Sequence, residues 1–127
     1  VQLHFEPRYA PKFEPLIRAF KTVPVLVDHL GRPFQGTEEE HAVVVGWAKY
    51  PNVTVKLSAV PDRGAYPHRD PAAVVKRLSD AYGAKATADT YRAERERVAG
   101  MLSHLSAADR AKVLGGTAAK RFGFAAG

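Results

Sequence analysis

The chain of 127 residues is 46% apolar, 25% charged and 9% aromatic, a composition typical of a globular domain large enough to bury a core. It contains no cysteine, which excludes disulfides and thiolate metal ligands, and we expect no membrane association because no apolar run is long enough to cross a bilayer. The net charge of +6 comes from basic residues interleaved with acids, so we predict a small anionic substrate and no nucleic acid as the partner. Cytoplasm is the default compartment for such a chain.

Three strand-like segments alternate with helical segments along the first two thirds of the chain. The strands are predicted at residues 1–5, 23–28 and 53–58, on the basis of apolar alternation or of nearly continuous apolar character. Thr37 and Glu40 have the spacing of a capping box, which predicts the start of the second helix. Since right-handed crossovers make consecutive strands parallel, the order predicts an α/β fold with three parallel strands.

The last third of the chain is predicted to be helical. No strand pattern is found beyond Gly83, and helices are predicted at residues 89–105, 107–114 and 117–122. Three strands cannot close a TIM (β/α)8 barrel, which has eight strands and roughly 250 residues. The chain is therefore predicted to form one domain over residues 1–127, either a small three-layer sheet or a partial barrel.

Polar side chains occupy the carboxyl ends of the three predicted strands. His4 lies at the end of the first strand, Asp28 and His29 at the end of the second, and Lys56 and Ser58 at the end of the third. Active sites of parallel α/β folds lie at this edge of the sheet, so these residues are candidates for catalysis or binding. A hydrogen-bonded structural role is the alternative for His4, and loop capping is the alternative for Asp28.

The longest predicted loop, residues 59–69, contains several side chains that can bind an anion. Arg63 is the best candidate among them, because a guanidinium can hold a carboxylate through two parallel hydrogen bonds. A solvated loop without a binding role is the alternative. Two further histidines, His41 and His104, fall on predicted helices away from the strand ends, and we predict that both are surface residues.

Four stretches of the sequence resemble the amidohydrolase-related family of barrel enzymes, in the carboxyl-terminal half of the barrel. They are VQLH at 1–4, VLVDHLGRP at 25–33, PNVTVKLS at 51–58 and VLGGTAAKRFGF at 113–124. The DHLGRP and LGGTAAKRFG pieces are the most specific of these, and they occur in the family's order. Within the family, the chain most resembles lactone hydrolases of the 2-pyrone-4,6-dicarboxylate hydrolase type. The zinc decarboxylases of the same family are related to these enzymes.

The resemblance implies a role for each strand-end residue. His4 matches a histidine that binds metal in zinc-using members, and His29 matches one that polarises the substrate or the attacking water, with Asp28 beside it. The family's His-x-His strand is not expected in this chain, because the resemblance begins midway through the barrel. The final strand carries the family's general-base aspartate and would fall between Gly83 and Thr87, where no strand pattern is found. The resemblance thus implies one divalent metal, zinc, with an incomplete ligand set.

Three functions are compatible with these observations. The first is a metal-dependent hydrolase acting on an ester, lactone or amide of a carboxylate-bearing small molecule, with Lys56, Ser58 and Arg63 holding the substrate. The second is a zinc-dependent decarboxylase on the same scaffold. The third is a catalytically inactive α/β remnant that acts as a binding or assembly module. In that case unpaired sheet edges would favour self-association, so the sequence is also compatible with a homo-oligomer.

Overall fold

The computed structural model describes residues 1–88 and 92–123, and these form a parallel sheet whose strands alternate with helices. The strands are β1 (Gln2–Leu3), β2 (Val25–Val27), β3 (Val53–Leu57) and β4 (Ala86–Ala88). The helices are α1 (Ala10–Ala19), α2 (Glu38–Gly46), α3 (Pro71–Tyr82), α4 (Arg92–Met101), α5 (Ala107–Ala111) and α6 (Thr117–Phe122). The four strands of the described residues are ordered β1-β2-β3-β4, and every neighbouring pair is parallel.

The core lies between one face of this sheet and the helices that connect its strands. The register places the valines of β2 opposite those of β3, so that their side chains project to the same side. They are buried there with apolar side chains from α2 and α3; the cluster includes Val25, Val27, Val53, Val55, Leu57, Val44, Val75 and Leu78. This packing confirms the predicted α/β fold and leaves Gln2, Leu26, Thr54 and Lys56 on the other face of the sheet.

The predicted start of the second helix is confirmed in detail, and the third helix is also capped by a side chain. Thr37 and Glu40 form the capping box of α2, with the Glu40 backbone N–H donating to Thr37 Oγ1 at 3.2 Å and the Thr37 N–H donating to Glu40 Oε2 at 2.9 Å. The Asp70 side chain accepts a hydrogen bond from the Ala72 N–H, and Pro71 is the first residue of α3.

The prediction of only three strands was wrong. The structure contains a fourth strand, β4, which pairs in parallel with β3 where a break between helices was expected. Its sequence, Ala-Thr-Ala, lacks the large apolar residues that mark a strand, so backbone pairing with the edge of β3 determines its conformation. Asp89 follows β4 in the sequence. It lies outside the described residues, as does the start of the helix predicted at 89–105, which the structure describes from Arg92.

One helix boundary also differs from the predictions. The helix predicted at residues 107–114 ends at Ala111. The next five residues, Lys112–Gly116, form a wider π-helical turn in which Gly115 has a φ of 155°.

An apolar groove lies beside β1, at the edge of the sheet described here. It is lined by Val1, Leu3, Phe13, Leu16, Ile17, Phe20, Val23 and Val25. Leu16 of α1 and Phe20, the residue after α1, are 55% and 59% exposed, so the groove presents apolar side chains at the surface. Among the helices described, none has both the length and the apolar character needed to span a bilayer.

Candidate functional site

The chain leaves β2 through a left-handed turn. The φ angles of His29, Leu30, Gly31 and Arg32 are 51°, 61°, 70° and 54° in succession. The left-handed conformation costs an L-residue about 1–2 kcal/mol, so the three non-glycine residues of this turn require support from their surroundings. Backbone strain of this kind clusters at functional sites. The turn redirects His29 away from the direction that a continued strand would give it.

Two side chains hold the backbone of this turn in place. His41 on α2 donates a hydrogen bond from Nε2 to the carbonyl oxygen of Leu30 at 2.7 Å, and the Leu30 side chain is fully buried. The Arg69 guanidinium donates to the carbonyl oxygen of Pro33. The two bonded carbonyls lie on either side of Arg32, so both flanks of that residue are fixed.

The prediction that His41 is a surface residue was wrong, because His41 is only 2% exposed. It precedes Val44 by three residues on α2, and that spacing puts both side chains on the helix's buried side. Burial lowers the pKa of His41 and keeps the imidazole neutral. The positive charges of Arg77 and Arg69 also lower this pKa. The hydrogen bond to the Leu30 carbonyl and the negative charge of Glu38 raise it, but they do not reverse the effect of burial.

His104 is an exposed residue, as predicted, although its side chain packs against a neighbouring helix. Its side chain is 23% exposed, and its Nε2 lies 3.2 Å from Ser79 Oγ and 3.1 Å from Asp80 Oδ1. The imidazole therefore connects the segment after α4 to α3, away from the strand ends.

Three potential metal ligands meet at the carboxyl edge of the sheet. The ligand atoms of His4, Asp28 and His29 all lie within 4.8 Å of one another. The register of β1 with β2 pairs Leu3 with Val27, which places His4 and Asp28 side by side as the next residues. The turn then brings the imidazole of His29 to a ring-centroid distance of 5.2 Å from that of His4, at an interplanar angle of 78°.

Neighbouring side chains orient two members of this cluster. Gln2 Nε2 donates to Asp28 Oδ2 at 2.6 Å, while Asp28 Oδ1 is buried and has no hydrogen-bond partner among the described residues. His29 Nδ1 and Ser58 Oγ share a hydrogen bond of 2.9 Å. The bonded atoms leave one carboxylate oxygen of Asp28 and one imidazole nitrogen of His29 for another ligand.

A cavity of about 310 Å³ adjoins the cluster. Its lining residues are His4, His29, Arg32, Phe34, Gln35, Ala59, Pro61 and Tyr66. The rings of Phe34 and Tyr66 pack at a centroid distance of 4.7 Å and form an aromatic wall. The volume is in the range of small-molecule pockets, and the lining combines imidazoles, a guanidinium and apolar surface.

The structure places the predicted substrate-binding residues in different environments. Ser58 is fully buried and contacts His29, so it orients the imidazole and does not line the cavity. Lys56 is half-buried and is paired in register with Thr87 of β4. Arg63 is exposed and lines a neighbouring groove together with Asp62, Asp70 and Arg97, among other residues.

Sequence reasoning missed two residues of this region, His41 and Arg32. The spacing of His41 from Val44 was the signal for its burial. Arg32 was visible in the Asp-His-Leu-Gly-Arg-Pro stretch, but nothing in the sequence alone showed that the turn would bring it to the cavity. Its left-handed φ is found mainly at glycine and asparagine and is not suggested by an arginine.

The parallel βα units and the histidine–aspartate cluster at their carboxyl edge define part of a β/α barrel with a candidate metal centre. The model of the family described as amidohydrolase matches residues 1–87. The chain therefore belongs to the amidohydrolase family. No curated protein matches the chain.

Solved structures of amidohydrolases share this fold. An amidohydrolase from Burkholderia multivorans with bound zinc has a TM-score of 0.76 and 21% identity, and the match covers 96% of this chain and 51% of that one. A structure of an amidohydrolase from Burkholderia multivorans with bound HEPES gives a TM-score of 0.75 at 20% identity, and the match covers 96% of this chain and 52% of that one. Amidohydrolase 2 from Bifidobacterium longum subsp. infantis gives 0.65 at 19% identity, covering 96% and 49%. The chain thus spans about half the length of these relatives, and the barrel it represents is partial.

Replacing Gly31 with alanine is expected to destabilise the fold. A Cβ at this position would lie 2.6 Å from Val44 Cγ1, and the φ of +70° strains any L-residue. We expect the free energy of unfolding to fall by about 1–3 kcal/mol, measured by denaturant titration. Gly64→Ala is the matched control, because a Cβ there meets no atom within 4 Å. Equal stability of the two variants would contradict the close packing of the turn.

The stability of the fold is expected to fall on acidification because of His41. Its pKa is lowered in the folded state, so below about pH 6.5 the unfolded chain binds a proton that the folded chain does not. The loss should approach about 1.4 kcal/mol per pH unit at most, measured by denaturant unfolding between pH 5 and 8. His41→Gln keeps a side-chain donor without the titration and should flatten the profile. His68→Gln, at an exposed histidine, should leave it unchanged; an unaltered slope in His41→Gln would refute the assignment.

Proposed function

We propose that the protein is a metal-dependent hydrolase that opens an ester, lactone or amide bond in a carboxylate-bearing small molecule. The observation that carries this proposal is the cluster of His4, Asp28 and His29 beside a cavity of small-molecule size. Membership of the amidohydrolase family supports hydrolysis as the reaction type. The zinc bound in the relative from Burkholderia multivorans supports zinc as the metal.

The donor set of the cluster fits zinc. Two imidazoles and one carboxylate are typical zinc ligands, and catalytic sites use about three protein ligands. Asp28 Oδ1 is a buried carboxylate oxygen without a hydrogen-bond partner in the described chain, which a cation would satisfy. Gln2 and Ser58 would serve as the outer partners that fix the ligands' orientation. Asp28 and His29 would therefore extend the ligand set, for which the sequence offered only His4.

Each residue of the cluster would have its own role in binding or catalysis. In the tautomer whose Nδ1 donates to Ser58 Oγ, the imidazole of His29 keeps an unprotonated Nε2 that can bind a metal or accept a substrate proton. His4 and Asp28 would hold the metal from the adjacent strand ends. A bound zinc ion would lower the pKa of a bound water and polarise the carbonyl under attack.

The general base is expected from the strand that follows the third βα unit. The structure contains that strand as β4, and Asp89 is the next residue in the sequence. It lies outside the described residues, so its sequence position alone makes it the carboxylate to examine for this role. Among candidate substrates, 2-pyrone-4,6-dicarboxylate is the first to test, because it carries both a lactone and carboxylates.

Replacing His29 with alanine is expected to lower lactone hydrolysis by about a hundredfold or more, the range for loss of an acid–base or electrophilic group. The measurement is the rate of opening of 2-pyrone-4,6-dicarboxylate by the zinc-loaded protein, followed by product analysis. His68→Ala is the control, since it removes an exposed imidazole that does not line the cavity. Near-normal turnover in His29→Ala would remove His29 from the mechanism. Release of carbon dioxide would point to decarboxylation and against hydrolysis.

Replacing Asp28 with asparagine is expected to weaken zinc binding by at least about tenfold, because it removes the charge of one ligand and keeps its size. The measurement is a zinc titration by calorimetry, with competition from a chelator of known affinity. Asp62→Asn removes an exposed carboxylate outside the cluster and should leave the zinc affinity unchanged. Equal affinities of the two variants would show that Asp28 is not a ligand.

A further inference from the structure

Strand β4 has little in its own side chains that could specify where it pairs. Its sequence is Ala-Thr-Ala, and Ala86 is the side chain that it adds to the apolar core. A displacement along β3 by two residues would put one alanine in the place of the other, with the same face of the strand turned to the core. Contacts outside the strand therefore have to select the observed register, in which Ala86 pairs with Val55.

Lys85, the residue directly before β4, makes contacts of this kind. Its ammonium group donates to the carbonyl oxygen of Tyr50 at 2.9 Å and to that of Ala48, and it lies 5.5 Å from the centre of the Tyr82 ring. Ala48 belongs to the 3₁₀ turn Trp47–Lys49 that follows α2, and Tyr50 comes next in the chain. Carbonyl groups at the end of a helix lack helical partners and carry partial negative charge, so a lysine ammonium is favoured there.

The segment that Lys85 binds leads directly into β3. The backbone N–H of Val53, the first residue of β3, donates to the same Tyr50 carbonyl oxygen at 3.2 Å. One carbonyl group thus connects the start of β3 to the residue that precedes β4. These bonds hold the starts of the two strands at a fixed offset, and a fixed offset between neighbouring strands is a register.

A second contact holds the same segment from another side. Thr117 Oγ1 of α6 donates to the carbonyl oxygen of Ala84. This is a single bond from a neutral hydroxyl, and it ties the segment to α6 and not to β3. A charged donor with two acceptors contributes more to stability than one neutral bond, so we expect the contacts of Lys85 to dominate.

We propose that Lys85 sets the register of β4 on β3 and is thereby a positioning residue for the candidate active site. Leu57 and Ala88 are the last pair of this register. The next residues are Ser58, which orients an imidazole of the metal cluster, and Asp89, the carboxylate put forward as the general base. The role in the active site rests on the proposed function, whereas the role in the register does not.

The test measures amide hydrogen exchange by NMR, strand by strand, on the full chain. Lys85→Met keeps the length of the side chain and removes its charge and its donors. We expect the amides of β4 to exchange about tenfold or more faster than in the wild type, while the amides that join β1 to β2 keep their rates. The nuclear Overhauser contact between Ala86 and Val55, which reports the register, should weaken in the same variant.

Lys49→Met is the matched control, because it removes a lysine of the same 3₁₀ turn whose ammonium group pairs with Glu14. It should leave the exchange of β4 unchanged. Wild-type exchange of β4 in Lys85→Met, or equal acceleration in both methionine variants, would overturn the proposal. Faster exchange of all strands together in Lys85→Met would also overturn it, because that result would show a contribution to overall stability and not to one strand.

Zinc affinity and turnover test the role in the active site. The candidate ligands follow β1 and β2, so Lys85→Met should bind zinc as the wild type does. Lactone hydrolysis by the zinc-loaded protein should fall by about tenfold or more in kcat, with little change in KM, because a displaced β4 would misplace the base. Unchanged hydrolysis in a Lys85→Met variant whose β4 exchanges faster would remove Lys85 from the site.

The two proposals can fail separately. Faster exchange of β4 in Lys85→Met, together with no lactone hydrolysis by the wild type, would leave the register assignment standing and remove the proposed function. Hydrolysis that depends on His29, together with wild-type exchange of β4 in Lys85→Met, would do the reverse.

Discussion

The left-handed turn after β2 is the constraint on which the candidate site depends. A strand that continued straight would point His29 and Asp28 to opposite faces of the sheet, since side chains alternate along a strand. The turn changes the direction of the backbone at His29 and brings both side chains to one edge. Its conformational cost is offset by burial of Leu30, by close packing of Gly31 on Val44 and by the hydrogen bond from His41. Helix α2 therefore shapes a site to which it contributes no ligand.

The site is assembled mostly by residues that are neighbours across the sheet. Gln2 on β1 orients Asp28 after β2, and Ser58 after β3 orients His29, so two of the three candidate ligands are held by a residue from a neighbouring strand. Ala59 follows Ser58 with a φ of 51°, so the chain also turns sharply where β3 ends. The two successive strand ends are therefore alike. After β2 the polar residue His29 is itself left-handed, and after β3 the polar residue Ser58 is followed by a left-handed residue.

Sequence patterns predicted the parts of the fold that depend on local chemistry. The capping box at Thr37 and the apolar strands β2 and β3 were recognisable because each has a strong pattern of its own. Strand β4 was missed, since Ala-Thr-Ala forms a strand only when the edge of β3 is there to pair with. The strand ends that bear His4, Asp28 and His29 could be found from the rule that parallel sheets collect functional groups at their carboxyl edge. The roles of Ser58, Arg32 and His41 could not be predicted from the sequence, because they depend on how far the backbone turns after each strand.

The strand order has a consequence for how the chain folds. Each strand pairs with the one that precedes it in the sequence, so every pairing spans a single helix and its two loops. Such a topology has a low contact order for a parallel sheet, because no long loop has to close before the first contacts form. Each completed βα unit offers an open edge to the next one, and the sheet can grow in the order in which a ribosome delivers it.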